Sequence, residues 1–148
     1  MKDLVGGGQM LQALDGLGER AGDVVLDVPE TLPRVNADAQ LLERAVANVL
    51  SNALTHSPEG RKVRVEAGTV GGRVDLRVID QGSGVPPAQR AHMFRPFQRL
   101  GDAQNGNGVG LGLAVARGFM EAMGGEISVD DTPGGGLTVV LTMKAAPS

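Results

Sequence analysis

The amino-acid sequence predicts a two-layer α/β (α+β) sandwich, in which a mixed, mostly antiparallel sheet carries its helices on one face. Two observations predict this fold. Residues 61–68 and 73–79 alternate apolar and polar side chains around a Gly-Gly turn, and residues 126–130 and 137–143 do the same around a glycine-rich turn. Such pairs are typical of antiparallel hairpins with one buried face. Helical segments precede and separate them, and their apolar stripes need a second layer to pack against.

Composition places the chain among ordinary single-domain globular proteins. It has 148 residues, of which 41% are hydrophobic and 21% charged, and a net charge of −3. One domain is therefore expected, and no nucleic-acid partner. The absence of cysteine excludes disulfides and thiolate metal sites. No apolar run approaches the roughly 20 residues of a membrane span, and no signal-peptide pattern opens the chain, so we expect no direct membrane contact from this domain.

The first half of the chain predicts two helices separated by a strand. Residues 9–20 show helical spacing of apolar side chains, and residues 24–28 form a short β-branched run that predicts a strand. Asn36 or Asp38 can cap the second helix, which is expected to end near residue 55. Its predicted core face consists of Leu42, Val46, Val49 or Leu50, and Ala53.

A third helix is predicted over residues 111–123, between the two hairpins. It carries two apolar stripes, so we expect burial around much of its circumference. The stripes are Val115, Phe119 and Ala122, and Leu113, Ala116, Met120 and Met123. We expect the domain to span residues 9–143, preceded by a loose linker at 1–8 with three consecutive glycines and followed by a tail at 144–148.

Two asparagines lie four residues apart on the second predicted helix, beside its apolar stripe. Asn48 and Asn52 therefore point the same way, although asparagine competes for backbone hydrogen bonds inside a helix. In isolation the pair is typical of a solvated helix face. The alternative is a pair of amide oxygens directed at a cation such as Mg²⁺, which prefers oxygen ligands and keeps several waters.

An aspartate ends the first hairpin and begins the sequence Asp80-x-Gly82-x-Gly84-Val85. A carboxylate accepts hydrogen bonds strongly at neutral pH and could accept from the exocyclic amine of an adenine. The glycines would let a base approach the backbone closely. Because Asp and Gly are also common turn residues, a plain turn is the alternative.

A glycine-rich turn precedes the third predicted helix, with glycines at 106, 108, 110 and 112. Such a turn presents backbone N–H groups and the positive end of a helix dipole, which together favour a phosphate. Taken alone, the segment is equally typical of a mobile linker.

Between these motifs, Phe94 and Phe97 account for two of the three aromatic residues. They predict a small hydrophobic anchor that pins a loop to the core. The neighbouring Arg95 and Arg99 could each donate to a phosphate, and we expect residues 100–108 to act as a lid.

Taken together and in this order, the motifs resemble the four boxes of the ATP-binding domain of sensor histidine kinases. Asn48-x-x-x-Asn52 resembles the N box, Asp80-x-Gly82-x-Gly84 the G1 box, Phe94-x-x-Phe97-x-Arg99 the F box, and Gly108-x-Gly110-Leu111-Gly112-Leu113 the G2 box. The resemblance covers about residues 10–143, within the superfamily that also holds gyrase, Hsp90 and MutL. The ending Gly-Gly-Gly-Leu-Thr-Val-Val and the N-box helix look most like the Kdp-type potassium-responsive sensor kinases.

This resemblance implies a Bergerat-type fold that binds ATP and Mg²⁺. Adenine would lie on Asp80 between Val85 and Leu113, and Mg²⁺ would be held by Asn52, with Asn48 nearby.

The resemblance also implies where the phosphates bind. Gly108, Gly110 and Gly112, together with Leu111, would supply backbone N–H contacts, and Arg99 would approach the γ-phosphate.

The sequence departs from the family pattern at several positions. Thr55 stands where lysine is common, and Leu137 stands where a threonine often makes a water-mediated adenine contact, with Thr138 one step on. His56 is either a phosphate contact or an ordinary histidine at a helix end. Neither His56 nor His92 is followed by the acidic residue typical of a phosphoacceptor, so we expect the acceptor histidine on a separate dimerisation domain.

The function implied is transfer of the γ-phosphoryl group of Mg-ATP to that histidine, and onward to a response regulator. Asn48 and Arg99 would be the catalytic residues, in the cytoplasmic part of a membrane-anchored kinase. The alternatives are a nucleotide-binding module that is inactive in isolation and an anti-sigma-type serine kinase, against which the Phe-x-x-Phe-x-Arg box argues. A gyrase-like ATPase would require glutamate at position 48.

Overall fold

The architecture is that of a computed structural model, which describes residues 3–6, 22–29, 32–56, 61–81, 109–132 and 135–146. In chain order its elements are β1 (Asp3–Val5), β2 (Val24–Asp27), β3 (Val35–Ala37), α1 (Ala39–His56), β4 (Val63–Val70), β5 (Arg73–Ile79), α2 (Val109–Ala122), β6 (Glu126–Asp131) and β7 (Leu137–Lys144). None of the described helices is long and apolar enough to cross a membrane.

Three predicted features lie outside the described residues: the helix at 9–20, the anchor at Phe94 and Phe97, and the lid at 100–108. The remaining elements can each be compared with the expectation from the sequence.

Five strands form one mixed sheet in the order β2-β4-β5-β7-β6. β2 pairs with β4 in parallel, and the other three pairings are antiparallel. Both predicted hairpins, β4–β5 and β6–β7, are present, so the mixed and mostly antiparallel sheet is confirmed.

The β4–β5 hairpin closes through two glycines, as its sequence predicts. Val70 pairs with Arg73, so Gly71 and Gly72 are the only residues of the loop, and their φ angles are 56° and 78°. Positive φ at both central positions defines the type I′ turn, whose twist matches that of the strands it joins.

Helix α1 begins as predicted from Asp38. The carboxylate Oδ1 of Asp38 accepts hydrogen bonds from the N–H groups of Gln40 and Leu41, at 3.0 and 3.1 Å. Two amide donors of the first turn, which have no acceptor inside the helix, are thereby satisfied. The predicted core face is confirmed, since these residues are at most 1% exposed: Leu42, Val46, Val49, Leu50 and Ala53.

One face of the sheet packs against the two helices. The alternate residues of β4, β5 and β7 that point to this side are buried: Val63, Val65, Val74, Leu76, Val78, Leu137, Val139, Leu141 and Met143. The opposite face carries charged side chains such as Arg64, Glu66 and Arg77, which form ion pairs or remain exposed. This arrangement confirms the predicted two-layer sandwich.

Helix α2 is buried along one of its two apolar stripes, not both. Leu113, Ala116, Met120 and Met123 are at most 6% exposed. By contrast, Val115 is 38% exposed, Ala122 is exposed, and Phe119 is partly buried. The expectation of burial around much of the circumference was therefore wrong. Among the described residues, α2 packs mainly against α1 and β6, which cover only one of its sides.

The helix stops where the sequence predicts, ahead of two glycines. The N–H of Gly124 donates to the carbonyl of Glu121 and that of Gly125 to the carbonyl of Met120, at 3.1 and 2.8 Å. These bonds satisfy carbonyl groups of the last turn.

The two chain ends are more ordered than expected. Strand β1 lies within the predicted loose linker and pairs antiparallel with β3, which the sequence analysis did not predict. At the other end, Lys144 still belongs to β7, and the N–H groups of Ala145 and Ala146 donate to the carbonyls of Gly72 and Arg34, at 2.9 and 2.7 Å. Backbone pairing between distant segments produces both features, and three-residue strands are too short to show a periodicity.

Candidate nucleotide-binding site

Two predicted site residues are among the few polar side chains that the fold buries. In the described part of the chain, the buried polar or charged residues are Asn52, Asp80 and Thr138, which are 7, 3 and 6% exposed. The surrounding core is aliphatic, and a polar group in such surroundings is costly unless it has a hydrogen-bond partner or a ligand. The partners of each group therefore indicate what it does.

Asp80 is held where β5 leaves the sheet. Its backbone N–H donates to the carbonyl of Leu137, and its carboxylate Oδ1 accepts from the N–H of Leu137, both at 3.0 Å. These two bonds attach Asp80 to the first residue of β7. A carboxylate in an ordinary surface turn would be exposed, so this burial favours a binding role over the plain-turn alternative.

The two asparagines of α1 differ from the other polar residues near them. Asn52 is buried, and its side-chain amide forms no hydrogen bond to another described residue, while Asn48, one turn earlier, is half-buried. Ser51 and Thr55 are exposed, and the Thr55 hydroxyl donates to the Ser51 carbonyl at 2.9 Å. The solvated-face alternative therefore suits Ser51 and Thr55 but does not account for the buried amide of Asn52.

The glycine-rich turn leads into α2 as predicted, although the helix begins at Val109, two residues earlier than expected. Gly110, Leu111 and Gly112 thus lie in its first turn, whose N–H groups have no acceptor within the helix. Leu113 is fully buried and belongs to the core. α1 contacts both β5 and α2, so it links the two other motif-bearing elements that the structure describes.

The other predicted contacts cannot be placed in the same way. Gly82, Gly84, Val85, Arg99 and Gly108 lie outside the described residues.

His56 is the last residue of α1.

The segment next to Asp80 differs from the expectation at Thr138 and contains a residue, Gly136, that the sequence analysis did not single out. Thr138 lies on the sheet face opposite to Leu137, and its hydroxyl is 2.9 Å from that of Thr132, so it does not take over the position next to Asp80. Gly136 does adjoin Asp80: a Cβ added to it would lie 2.1 Å from the Asp80 carbonyl oxygen. The only signal in the sequence was the run of three glycines at 134–136, which predicts a turn but not this contact.

The fold is an α/β sandwich in which Asn52 and Asp80 are buried, and comparisons with known proteins identify its family. Residues 37–147 match the family described as histidine kinase-, DNA gyrase B- and HSP90-like ATPase. The sensor protein KdpD of Mycobacterium tuberculosis strain H37Rv is 59% identical over 109 residues, which cover 74% of this chain and 13% of that protein.

Two solved structures share the fold. The mycobacterial sensor histidine kinase MprB superposes with a TM-score of 0.79 at 32% identity and covers 95% of both chains. Full-length ShkA in complex with AMPPNP gives a TM-score of 0.81 at 28% identity, over 99% of this chain and 32% of that one.

The chain therefore belongs to the histidine kinase-, DNA gyrase B- and HSP90-like ATPase family, and KdpD and MprB, which it resembles, are named as a sensor protein and a sensor histidine kinase. It spans about one eighth of the length of KdpD. It is an α/β domain of the ATP-binding type, and the Kdp-type resemblance found in the sequence is confirmed.

Proposed function

We propose that this domain binds Mg-ATP between α1, the end of β5 and the start of α2. The observation that carries the proposal is the buried amide of Asn52, which has no hydrogen-bond partner among the described residues. Buried polar groups in native structures are nearly always satisfied. A ligand bound beside α1 would satisfy the Asn52 amide. ShkA, which shares the fold, was solved in complex with AMPPNP.

The adenine is assigned to Asp80. A carboxylate accepts several hydrogen bonds, so Asp80 can accept from the exocyclic amine of adenine in addition to its bond from the Leu137 N–H. Gly82, Gly84, Val85 and Leu113 are proposed to complete the walls of the base site.

The residues present fit a magnesium ion. Asn52 offers an uncharged amide oxygen, which is a hard ligand of the kind that Mg²⁺ takes, and the ion completes its shell with waters and phosphate oxygens. Asn48 lies one turn away on the same helix and would bind a metal-bound water. When bound, the ion neutralises charge on the phosphates.

The phosphates are assigned to the first turn of α2. Backbone N–H groups at Gly108, Gly110, Leu111 and Gly112 would donate to phosphate oxygens at the positive end of the helix dipole.

Two further side chains are proposed at the phosphates. Arg99 would donate to the γ-phosphate, where negative charge is spread in the transition state. His56, at the end of α1, is assigned to the same phosphates.

The reaction proposed is that of a protein-histidine kinase. The bond between the γ-phosphorus and the bridging oxygen of ATP breaks, a bond from phosphorus to a ring nitrogen of a histidine forms, and ADP leaves. The imidazole proton passes to a base on the dimerisation domain that carries this histidine. Phosphoryl transfer depends mainly on positioning and charge stabilisation, which Asn48 and Arg99 would supply.

The wider role follows from the relatives. We propose that the domain is the cytoplasmic catalytic part of a membrane-anchored sensor kinase that responds to potassium, and that the phosphoryl group continues to a response regulator. Because the known matches are sensor kinases, the readings as an inactive nucleotide module or an anti-sigma-type kinase are not favoured.

Calorimetric titration of the chain with ATP, with and without Mg²⁺, tests the proposal. Asn52→Ala should weaken Mg-ATP binding by about tenfold or more, equivalent to about 1.4 kcal/mol, and should reduce its dependence on Mg²⁺. Ser51→Ala, an exposed neighbour on the same helix, is the matched control and should bind as the wild type does. A folded wild type that does not bind ATP at millimolar concentration would contradict the proposal.

A further inference from the structure

A cavity lies at the end of β7, whereas Asp80 adjoins the start of that strand. The two places are separated by roughly 20 Å along β7. The cavity has a volume of about 330 Å³, near the lower limit for small-molecule sites. It opens between β3, the turn that follows α2 and the end of β7, and its lining consists of Asn36, Ala37, Met123, Gly124, Gly125, Met143, Lys144 and Ala145. No residue assigned to the nucleotide site is among them.

The cavity exists because β3 and β6 share one side of β7 without meeting. The pairing of β6 with β7 ends at Thr142, and β3 forms a bridge to β7 at Ala145. Because the N–H of Ala145 donates to Gly72 on the β5 side, β3 lies on the same side of β7 as β6. In the described part of the chain, neither strand is paired with the residues in between, Met143 and Lys144. The gap between the two strands is the cavity.

Apolar side chains provide one part of the lining. Ala37, Met123 and Met143 are 1, 6 and 3% exposed, so little of their surface is available except toward the cavity. The thioether sulfur of methionine is polarizable and makes favourable contacts with aromatic rings. The two methionines therefore suit a flat aromatic group better than a bulky aliphatic one.

The charged part of the lining is a single cation. Lys144 is exposed and forms no ion pair with another described residue, and the lining contains no carboxylate. Glu126 borders a smaller adjoining space together with Lys144, but it lies 3.7 Å from Arg73. The end of α2 adds partial negative charge, although the N–H groups of the two glycines that follow satisfy two of its carbonyl groups. The full charge of Lys144 outweighs that partial charge, so charge complementarity favours an anion.

We infer that this cavity is a binding site for a small aromatic carboxylate. The ring contacts Met123 and Met143, and the carboxylate accepts from the ammonium group of Lys144, with the exposed amide of Asn36 as a second donor. An inorganic anion would leave the methionines uncovered, and an uncharged ring would leave the lysine without a counter-charge. The inference does not depend on the proposed nucleotide site.

The first experiment titrates the chain, labelled with ¹³C at its methionine methyl groups, with naphthoate. The resonances of Met123 and Met143, assigned with the variants Met123→Leu and Met143→Leu, should shift with one common dissociation constant below about 1 mM. Naphthamide, which has the same shape and no charge, should bind about three- to fivefold more weakly. If neither resonance shifts at millimolar naphthoate, the site does not exist.

A saturated compound tests the role of the ring. The decalin carboxylate, which keeps the charge and lacks the aromatic system, should bind at least about twofold more weakly than naphthoate, because it loses the contacts between sulfur and the ring. Equal or tighter binding would overturn the assignment of an aromatic ligand.

Matched variants test the two parts of the lining. Lys144→Met keeps an apolar stem and removes the charge, so the preference for naphthoate over naphthamide should fall to within about twofold. Lys62→Met, which removes a lysine bonded to the carbonyl of Gly22, should keep the preference. Ala145→Leu should weaken naphthoate by about fivefold or more because it fills part of the cavity. Ala146→Leu, one residue beyond the lining, should change the affinity by less than about twofold.

Equal effects of the two lysine variants, or of the two alanine variants, would overturn the inference. If Ala145→Leu does not fold, the lysine variants decide the question, since both lysines are exposed.

Adding Mg-ATP separates this site from the nucleotide site. The shifts of Met123 and Met143 caused by naphthoate should persist at saturating Mg-ATP, since the two sites lie at opposite ends of β7. Competition would place naphthoate in the nucleotide site, which overturns this inference and leaves the proposed function intact. A folded wild type that binds naphthoate but not Mg-ATP would contradict the proposed function alone.

Discussion

A glycine-rich turn lies at each end of strand β5. The two turns, at residues 71–72 and 134–136, look alike in sequence and differ in structure. At its start, Gly72 has a φ of 78°, and an added Cβ would meet nothing within 4 Å. At its end, Asp80 meets Gly136, whose φ is 117° and whose added Cβ would lie 2.1 Å from the Asp80 carbonyl oxygen. The first glycine is needed for the backbone conformation of a turn. Gly136 is needed for its backbone conformation and also for the close approach of the segment that contains Asp80, a candidate binding residue.

The largest effect is expected for Gly136→Ala. Positive φ in a residue with a Cβ costs about 1 to 3 kcal/mol, and forcing a methyl group into a filled space costs a further 1 to 3 kcal/mol, so we expect a loss of about 3 kcal/mol or more. Chemical denaturation followed by circular dichroism measures it. A loss as small as that of Gly72→Ala would show that the Asp80 segment can move away.

A smaller loss is expected for Asp80→Ala. It leaves the Leu137 N–H without its partner at the buried end of the sheet, which costs about 1 to 3 kcal/mol. Asp80→Asn keeps an acceptor of the same shape and should lose less than about 1 kcal/mol. The two variants are compared in the same denaturation experiment. Equal stabilities would mean that the side-chain bond to Leu137 contributes nothing measurable.

Gly72→Ala should lose about 1 to 2 kcal/mol, because it carries the cost of left-handed backbone without a steric clash. The same denaturation measurement applies, and nucleotide affinity should not change, since this turn lies at the end of β5 opposite to Asp80. A loss of ATP affinity in this variant would contradict the separation of the two turns.

The smallest effect on stability is expected for the exposed ion pair beside the Gly71-Gly72 turn. Arg73 lies 3.7 Å from Glu126, with 53 and 71% of their side chains exposed, so Arg73→Ala should change stability by less than about 0.5 kcal/mol. Thermal unfolding at low and high salt checks this expectation. A salt-dependent loss above 1 kcal/mol would contradict this expectation. It would show that the stability of this end of the sheet depends on charge, whereas the end at Asp80 depends on buried hydrogen bonds.

Much of the fold was predictable because its signals are local. The Gly71-Gly72 turn, the alternation of β4 and β5, the Asp38 cap and the core face of α1 each depend on residues within one or two turns of one another. The motifs at Asn52 and Asp80 were visible in the same way, as residue types at a fixed spacing.

Other features came only from contacts between distant segments. The β1–β3 pairing joins residues that are 30 or more positions apart, and the exposure of Val115 depends on what packs beside α2. The sequence placed Asn48 and Asn52 on one face of α1, but only tertiary packing separates the buried amide of Asn52 from the exposed Ser51 and Thr55 beside it.

By itself, then, the sequence determined the kind of elements, their order and the family to which the chain belongs, since these follow from local periodicity, turn chemistry and spaced motifs. Tertiary structure decided which polar groups are buried and how they are held. Asp80 and Leu137 are 57 residues apart, and no local pattern reports that a backbone N–H in one strand orients a carboxylate at the end of another. Glycine at 136 leaves room for the two segments to approach, since a Cβ there would lie 2.1 Å from the Asp80 carbonyl oxygen.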